Sequence, residues 1–210
     1  MRILALSDIH QRVQTLKALL KKVNKEEIDL VVVAGDLTNY GDKQDALELI
    51  DMLNFSKVFA VPGNLDTPAV LEALEKRNIS LHNKCVEFKG FRFCGFGAGL
   101  LGSVGTLLYS ELDIEKSLKR LVKPGAVLIT HLPPKNTKID FASGEHIGSS
   151  AVKKVITERK PLLNICGHVH EAYGKIKLGS TTCVNVAAVK EGRAWIIDLD
   201  KNIAVKRLTA

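Results

Sequence analysis

The stretch Arg2-Ile3-Leu4-Ala5-Leu6-Ser7-Asp8-Ile9-His10 begins as an apolar run and ends on a carboxylate and an imidazole two residues apart. Short apolar runs rich in branched side chains and bounded by polar residues read as buried strands. The pattern recurs along the chain. Leu30–Ala34 leads to Gly35-Asp36, Lys57–Val61 to Gly63-Asn64, Ala126–Thr130 to His131, and Leu162–Cys166 to Gly167-His168-Val169-His170. In an open α/β sheet, ligands gather just beyond the carboxyl ends of the strands. Residues remote in sequence are therefore expected to meet at one edge.

Between these runs lie segments of helical period. Val13, Leu16, Leu19, Leu20 and Val23 form one apolar stripe, and Ala46, Leu49, Ile50 and Leu53 another. Thr67 and Pro68 supply an N-cap and a first helical residue for a third, through Val70, Leu71 and Leu74. Ile114, Leu118, Leu121 and Val122 form a fourth. Val152, Val155 and Ile156, preceded by Ser149, form a fifth. Strand–helix alternation to about Leu81 predicts βαβ material. Val86–Phe88 and Phe91–Cys94 around Lys89-Gly90 read as a hairpin. Ala172–Leu178, Thr182–Val186, Ala194–Leu199 and Ile203–Leu208 read as a meander, so the second half is expected to carry a largely antiparallel sheet. No repeat or low-complexity linker divides the halves, and residues 1–210 are expected to form one domain.

The composition, 46% hydrophobic and 25% charged, is that of a soluble globular chain. The formal net charge of +7 favours anionic partners, yet the basic residues are scattered, as in Lys21-Lys22, Lys153-Lys154 and Lys206-Arg207. Without a Lys/Arg tract, a nucleic-acid surface is not favoured. Cys85, Cys94, Cys166 and Cys183 form no C-x-x-C pair and lie in or beside apolar runs. They read as small buried hydrophobes rather than zinc ligands or a disulfide frame, which suits a reducing compartment. The apolar stretch Ile3–Leu6 ends at Asp8, too short for a signal peptide or membrane span. The expected location is the cytoplasm, without membrane partners; a homo-oligomer is compatible with the sequence.

Carboxylate, amide oxygen and imidazole without thiolate suit hard or borderline divalent ions. In extended chain, side chains at i and i+2 point the same way, so Asp8 with His10 and His168 with His170 would each present paired ligands. One ion would leave several of these groups unused, whereas two ions sharing a carboxylate would use them all. The ordered set Asp8-x-His10, Gly35-Asp36, Gly63-Asn64, His131, Gly167-His168-x-His170 resembles the calcineurin-like metallophosphoesterase family. His131-Leu132-Pro133-Pro134, Gly144 to Ser149 and Gly167 to Ala172 look like its small prokaryotic, archaeal-type branch.

The resemblance implies an αββα sandwich of two mixed sheets. It also implies that Asp8, His10, Asp36 and His170 hold one metal, with Asp36 bridging to a second held by Asn64, His131 and His168. A hydroxide between the ions would attack a phosphodiester, a small molecule or nucleotide, with Asp36, Asn64, His131 and His146 as the catalytic set. Manganese is the leading expectation for both ions, with iron, nickel or zinc as alternatives and no organic cofactor.

One departure from the family pattern is Gly63-Asn64-Leu65-Asp66, where many members carry histidine at the third position as the acid that assists the leaving group. Leucine cannot donate that proton. This motivates an alternative, a protein-interaction scaffold like the retromer subunit of the same fold. The net charge motivates another, a nuclease of the family. Elsewhere, His82 reads as a surface-loop residue, and Asp140 and Glu145 as solvated loop carboxylates. His146 precedes a helix start, where anions are favoured, and reads equally as a substrate contact or a loop cap. Gly97-Ala98-Gly99-Leu100-Leu101-Gly102 matches G-x-G-x-x-G but opens no long helix. It reads as a loop bordering the cleft and a candidate lid.

Overall fold

Side-chain alternation along the central strands sorts the core into three apolar layers. In the strand Arg2–Leu6, Leu4 and Leu6 join one cluster while Ile3 and Ala5 join another. The neighbouring strand Leu30–Ala34 divides the same way, with Val31 and Val33 following Leu4 and with Leu30, Val32 and Ala34 following Ile3. The first cluster is closed by helices α1 (Val13–Lys21), α2 (Lys43–Met52) and α3 (Pro68–Lys76), through Leu16, Leu19, Leu49, Val70 and Leu74. The middle cluster faces Phe93, Val127, Ile129, Leu163, Ile165 and Val184 of a second sheet. That sheet's other face carries Cys94, Leu128, Cys166 and Cys183 against α4 (Glu111–Leu121) and α5 (Ser150–Arg159). The result is an αββα sandwich, described in this computed structural model for residues 1–200 and 202–210.

The first sheet is five-stranded, in the order Ile203–Thr209, Arg193–Leu199, Arg2–Leu6, Leu30–Ala34, Val58–Val61. The second is six-stranded, in the order Gly174–Leu178, Thr181–Asn185, Leu163–Cys166, Val127–Thr130, Phe91–Phe96, Lys84–Phe88. In each, the ligand-bearing strands pair in parallel, so their carboxyl ends share an edge. The expected antiparallel sheet in the second half is corrected. Thr181–Asn185 pairs in parallel with Leu163–Cys166, and Arg193–Leu199 crosses to the other sheet beside Arg2–Leu6. Of the four strands read as a meander, the pairs Gly174–Leu178 with Thr181–Asn185 and Arg193–Leu199 with Ile203–Thr209 are hairpins. A central strand is stabilised by its two neighbours, which need not be adjacent in sequence.

Local chemistry follows the expected elements with two exceptions. Asp42 starts α2 with a capping box, and Ser149 caps α5 by accepting from the Val152 amide. Thr67 precedes α3 but does not cap it, because its hydroxyl donates to the Gly41 carbonyl at 2.8 Å. The hairpin Lys84–Phe88/Phe91–Phe96 places Cys85 opposite Cys94, and the two form a disulfide, against the reading of four unpaired cysteines. Cys166 and Cys183 are free and buried, as expected. Among the described residues no helix is long and apolar enough to cross a membrane.

Candidate metal centre

The carboxyl edges of the two sheets are laced into one rim. The Gly167 amide donates to the His131 carbonyl, Val189 to Ser7, and Asp8 to Gly35. On this rim Asp8, His10, Asp36 and His168 adopt φ of 54°, 47°, 50° and 70°, in the left-handed region. Non-glycine residues seldom occupy that region, and such strain collects at functional sites. The expectation that Asp8 and His10 present their side chains from extended chain is therefore corrected. The strand ends at Leu6, and a tight turn brings both groups inward. Two glycines permit the close approach. A Cβ on Gly63 would collide with the Asp36 carboxylate, and one on Gly167 with the Ser7 hydroxyl.

Two groups of side chains meet here. In the first, His170 Nε2 lies 3.0 Å from Asp8 Oδ1, and His10 Nε2 lies 3.7 Å from the same oxygen. In the second, His131 Nε2 lies 2.9 Å from Asn64 Oδ1 and 3.2 Å from His168 Nδ1. Asp36 stands between them, its Oδ2 being 3.9 Å from His10 Nε2 and 3.5 Å from His131 Nε2. Asp8, His10 and His170, and likewise Asp8, Asp36 and His131, could each hold an ion, their donor atoms lying within 4.8 Å of one another. His146 is not in either group.

The donor set fits cations on a specific ground. His131 Nδ1 faces the Ala34 carbonyl at 2.9 Å, which places its proton there and leaves a lone pair on Nε2. Asn64 donates through Nδ2 to the Val104 carbonyl at 2.8 Å, so Oδ1 is the atom aimed at His131. With a neutral imidazole the His131 nitrogen and the Asn64 oxygen are both acceptors, so only a proton or a cation between them makes the contact favourable, and a bound ion would take the proton's place. His10 Nε2, buried and facing two carboxylates, has no hydrogen-bond partner.

Burial lowers His131, but Asp36 and Asp8 outweigh it and hold the imidazole above its usual range, so without an ion the site favours a positive charge there. Burial pushes the Asp36 carboxyl well above the usual carboxylate range, reinforced by Asp8 and Asp66 against the opposing pull of His131. For Asp8 the burial penalty is outweighed by the His170 hydrogen bond, the nearby imidazoles and the Ser7 hydroxyl, which hold it below that range. Burial lowers His10 to about 4 and His168 to about 3, keeping both imidazoles neutral, the form that binds metal.

Several polar residues that brace the rim were not read as such. Asp66, fully buried, accepts from the amides of Leu37, Thr38 and Gly63 and from the Thr38 hydroxyl. It thereby ties the Asn64 loop to the Asp36 loop. Asn185 donates through one nitrogen to the carbonyls of Ile139, Val169 and Ala172, fixing the turn between His168 and Tyr173.

Asp140, read as solvated, is fully buried. It accepts from the amides of Asn136, Thr137 and Gly148 and lies 2.9 Å from His146 Nδ1, so His146 acts here as a loop fastening. Glu145 is exposed. The anion-favouring start of α5 is already filled by Glu111, which accepts from the Ser150 and Ala151 amides. His82 is buried rather than on the surface. Its Nδ1 accepts from the Gly97 amide and its ring lies 4.7 Å from Phe96. The glycine run borders the site at Gly99, where an added Cβ would lie 2.6 Å from the Asn64 Cβ.

Two mixed sheets with helices on both outer faces and an acidic, imidazole-rich rim define a class of phosphoester hydrolase folds. A sequence profile of the calcineurin-like phosphoesterases matches residues 1–172, and the chain belongs to that family. An uncharacterised protein of Methanocaldococcus jannaschii is 28% identical, over 98% of this chain and 95% of the relative. Among solved structures, a protein of Thermus thermophilus is 19% identical with a TM-score of 0.78, covering 98% of this chain and 97% of that one. A novel archaeal phosphodiesterase is 16% identical with a TM-score of 0.61, over 100% of both chains. At these identities the two structures bear on the fold alone.

Proposed function

We propose that the chain is a metal-dependent phosphodiesterase with a dinuclear centre, residues 1–210 acting as one domain. The observation that carries this reading is the pair of donor groups on either side of Asp36. Asp8, His10, Asp36 and His170 would hold one ion, and Asp36, Asn64, His131 and His168 the other. Bound divalent ions, manganese being the first choice, would supply Lewis-acid stabilisation of phosphoryl oxygens and a nucleophile at neutral pH.

The chain's own contribution is placement. Asp66 and Asn185 fix the loops, and the Leu65 amide, donating to Asp36 Oδ1 at 2.9 Å, holds the shared carboxylate between the groups. The substrate is expected to be a small-molecule or nucleotide diester. Leu65 favours diesters with good leaving groups, since it supplies no proton to a departing alkoxide.

Leu65 also supports a second reading, a metal-loaded scaffold with little turnover. The deciding experiment strips the protein, reloads it with manganese, iron, nickel or zinc, and measures ion content. Turnover is then screened on cyclic nucleotides, dinucleotides and lipid-head-group diesters. Two ions per chain with diester turnover is the expected result. Full activity with one ion per chain would refute the dinuclear centre, and two ions without turnover on any diester would favour the scaffold.

A further inference from the structure

The family match ends at residue 172, yet the segment Val189–Arg193 lies against the rim. The Val189 amide donates to the Ser7 carbonyl at 2.9 Å and Lys190 to the Asp8 carbonyl at 3.1 Å, so this segment is fixed to the backbone that presents Asp8. Next to these anchors, Glu191 Oε1 stands 3.8 Å from His170 Nδ1, on the opposite edge of the ring from the Nε2 that faces Asp8. Arg193 holds Glu191 in place. Its Nη1 lies 2.9 Å from Glu191 Oε2 and donates to the His170 carbonyl at 3.2 Å. The guanidinium in turn lies 5.5 Å from the centre of the Tyr173 ring, whose hydroxyl is bonded to the Ala194 carbonyl.

We propose that Glu191, held by Arg193, is a positioning residue for His170 and sets the ion affinity of the Asp8–His10–His170 group. This role rests on the metal-centre reading given above and on the tautomer of His170. A neutral imidazole carries one proton. Without an ion the proton on Nε2 serves the 3.0 Å hydrogen bond to Asp8, but an ion held by Asp8 and His170 needs the Nε2 lone pair, so the proton must then sit on Nδ1. On Nδ1 it meets Glu191 favourably and frees the Nε2 lone pair for a cation. Ligand histidines commonly rely on such an outer carboxylate, whose loss weakens metal binding by roughly 10–100-fold. Arg193 fixes the same histidine from its backbone side, so ring and main chain are held by one ion pair.

The test measures affinity rather than turnover. Stripped wild type, Glu191→Gln, Glu191→Ala and Arg193→Lys are titrated with Mn2+ and Zn2+ against a competing chelator. The visible spectrum of the Co2+-loaded protein is recorded alongside melting of the ion-free forms. Glu191 is 36% exposed in its side chain, so the isosteric glutamine should fold normally. In Glu191→Gln one of two ions should bind about 10–100-fold more weakly, with an altered Co2+ spectrum and an unchanged ion-free melting point. Wild-type affinity for both ions in Glu191→Gln overturns the proposal, even if Glu191→Ala is destabilised. Failure of the wild type to bind ions at all would instead overturn the metal-centre reading on which it rests.

Discussion

Replacing Asp36 by asparagine should move two measurable quantities in opposite directions. Asp36 Oδ1 accepts from the Leu65 amide, while Oδ2 faces His131 Nε2 at 3.5 Å and His10 Nε2 at 3.9 Å. In Asp36→Asn the amide oxygen must stay on Leu65, because its nitrogen there would meet an N–H. The new NH2 then points at His131 and His10, a donor placed where a shared anionic ligand is needed. Ion affinity should fall by more than about 100-fold, since even an outer partner is worth roughly 10–100-fold.

Stability of the ion-free protein should rise. Burial raises the folded pKa of Asp36, so its contribution is fully present below the unfolded carboxylate value and is lost as pH rises through the folded one. Asparagine has no charge to bury. The stripped variant should therefore melt above the stripped wild type at pH 8, and this difference should shrink toward pH 4. Manganese at about 100 times its Kd adds about 2.7 kcal/mol per ion to the wild type. That is an upward shift of about 5–11 °C per ion at about 2–4 °C per kcal/mol, and the variant should not show it. Melting with and without chelator, together with ion content, reads both effects. A variant that keeps two ions and the wild-type manganese shift would refute the shared-carboxylate assignment.

Two further outcomes follow from the same geometry. For Leu65, diester hydrolysis should slow steeply as leaving-group pKa rises, and Leu65→His should flatten that slope. The gain should stay near the low end of the roughly 10²–10⁴-fold worth of a general acid, because Asp66 is fully occupied and cannot orient the new ring. A shallow wild-type slope that steepens in His146→Ala would assign the acid to His146 instead. At the start of α5, bonds to Ser149, Ser150 and Ala151 outweigh the burial penalty and hold Glu111 below the usual carboxylate range. Its contribution is thus present above the unfolded carboxylate pKa and lost as pH falls. Glu111→Gln should melt about 2–4 °C lower at pH 7, for about 1 kcal/mol, and the deficit should shrink as pH falls below the ordinary carboxylate range; an equal deficit at pH 7 and at acid pH would refute the charge argument.

Strands and helices were legible because apolar periodicity is written locally. Leu30–Ala34 keeps its sequence-read bounds, and the other ligand-bearing strands shift by a single residue at one end. Strand partnership was not legible, since nothing in Thr181–Asn185 says that it will lie beside Leu163–Cys166. The Cys85–Cys94 bridge was within reach. With Lys89-Gly90 as the turn, register counting pairs Phe88 with Phe91 and, three steps out, Cys85 with Cys94. The ligand residue types were visible in their spacing, but Asp66, Asp140, Asn185 and Glu111 were not visible as braces. A polar side chain becomes a brace only through partners that folding brings to it, as when residues 29 positions away meet Asp66. The same limit hid the burial of His82, which depends on Phe96 and Gly97 of a strand end elsewhere.

The energetics of the rim also bear on the choice between enzyme and scaffold. Left-handed turns at Asp8, His10, Asp36 and His168 each store strain of about 1–3 kcal/mol. The buried Asp36 carboxylate is costly to ionise, and the His131–Asn64 contact needs a positive charge between its two acceptor atoms. A surface used only to hold another protein gains nothing from these terms, and apolar packing at the rim would be more stable. Cations would offset the charge and replace the proton between His131 and Asn64, which favours metal binding whatever the turnover. Leu65 does not weaken that preference, because its amide still fixes Asp36 and only its side chain departs from the family pattern. The favoured scaffold reading is therefore a metal-loaded one, and it differs from the enzyme only in what happens to a bound diester.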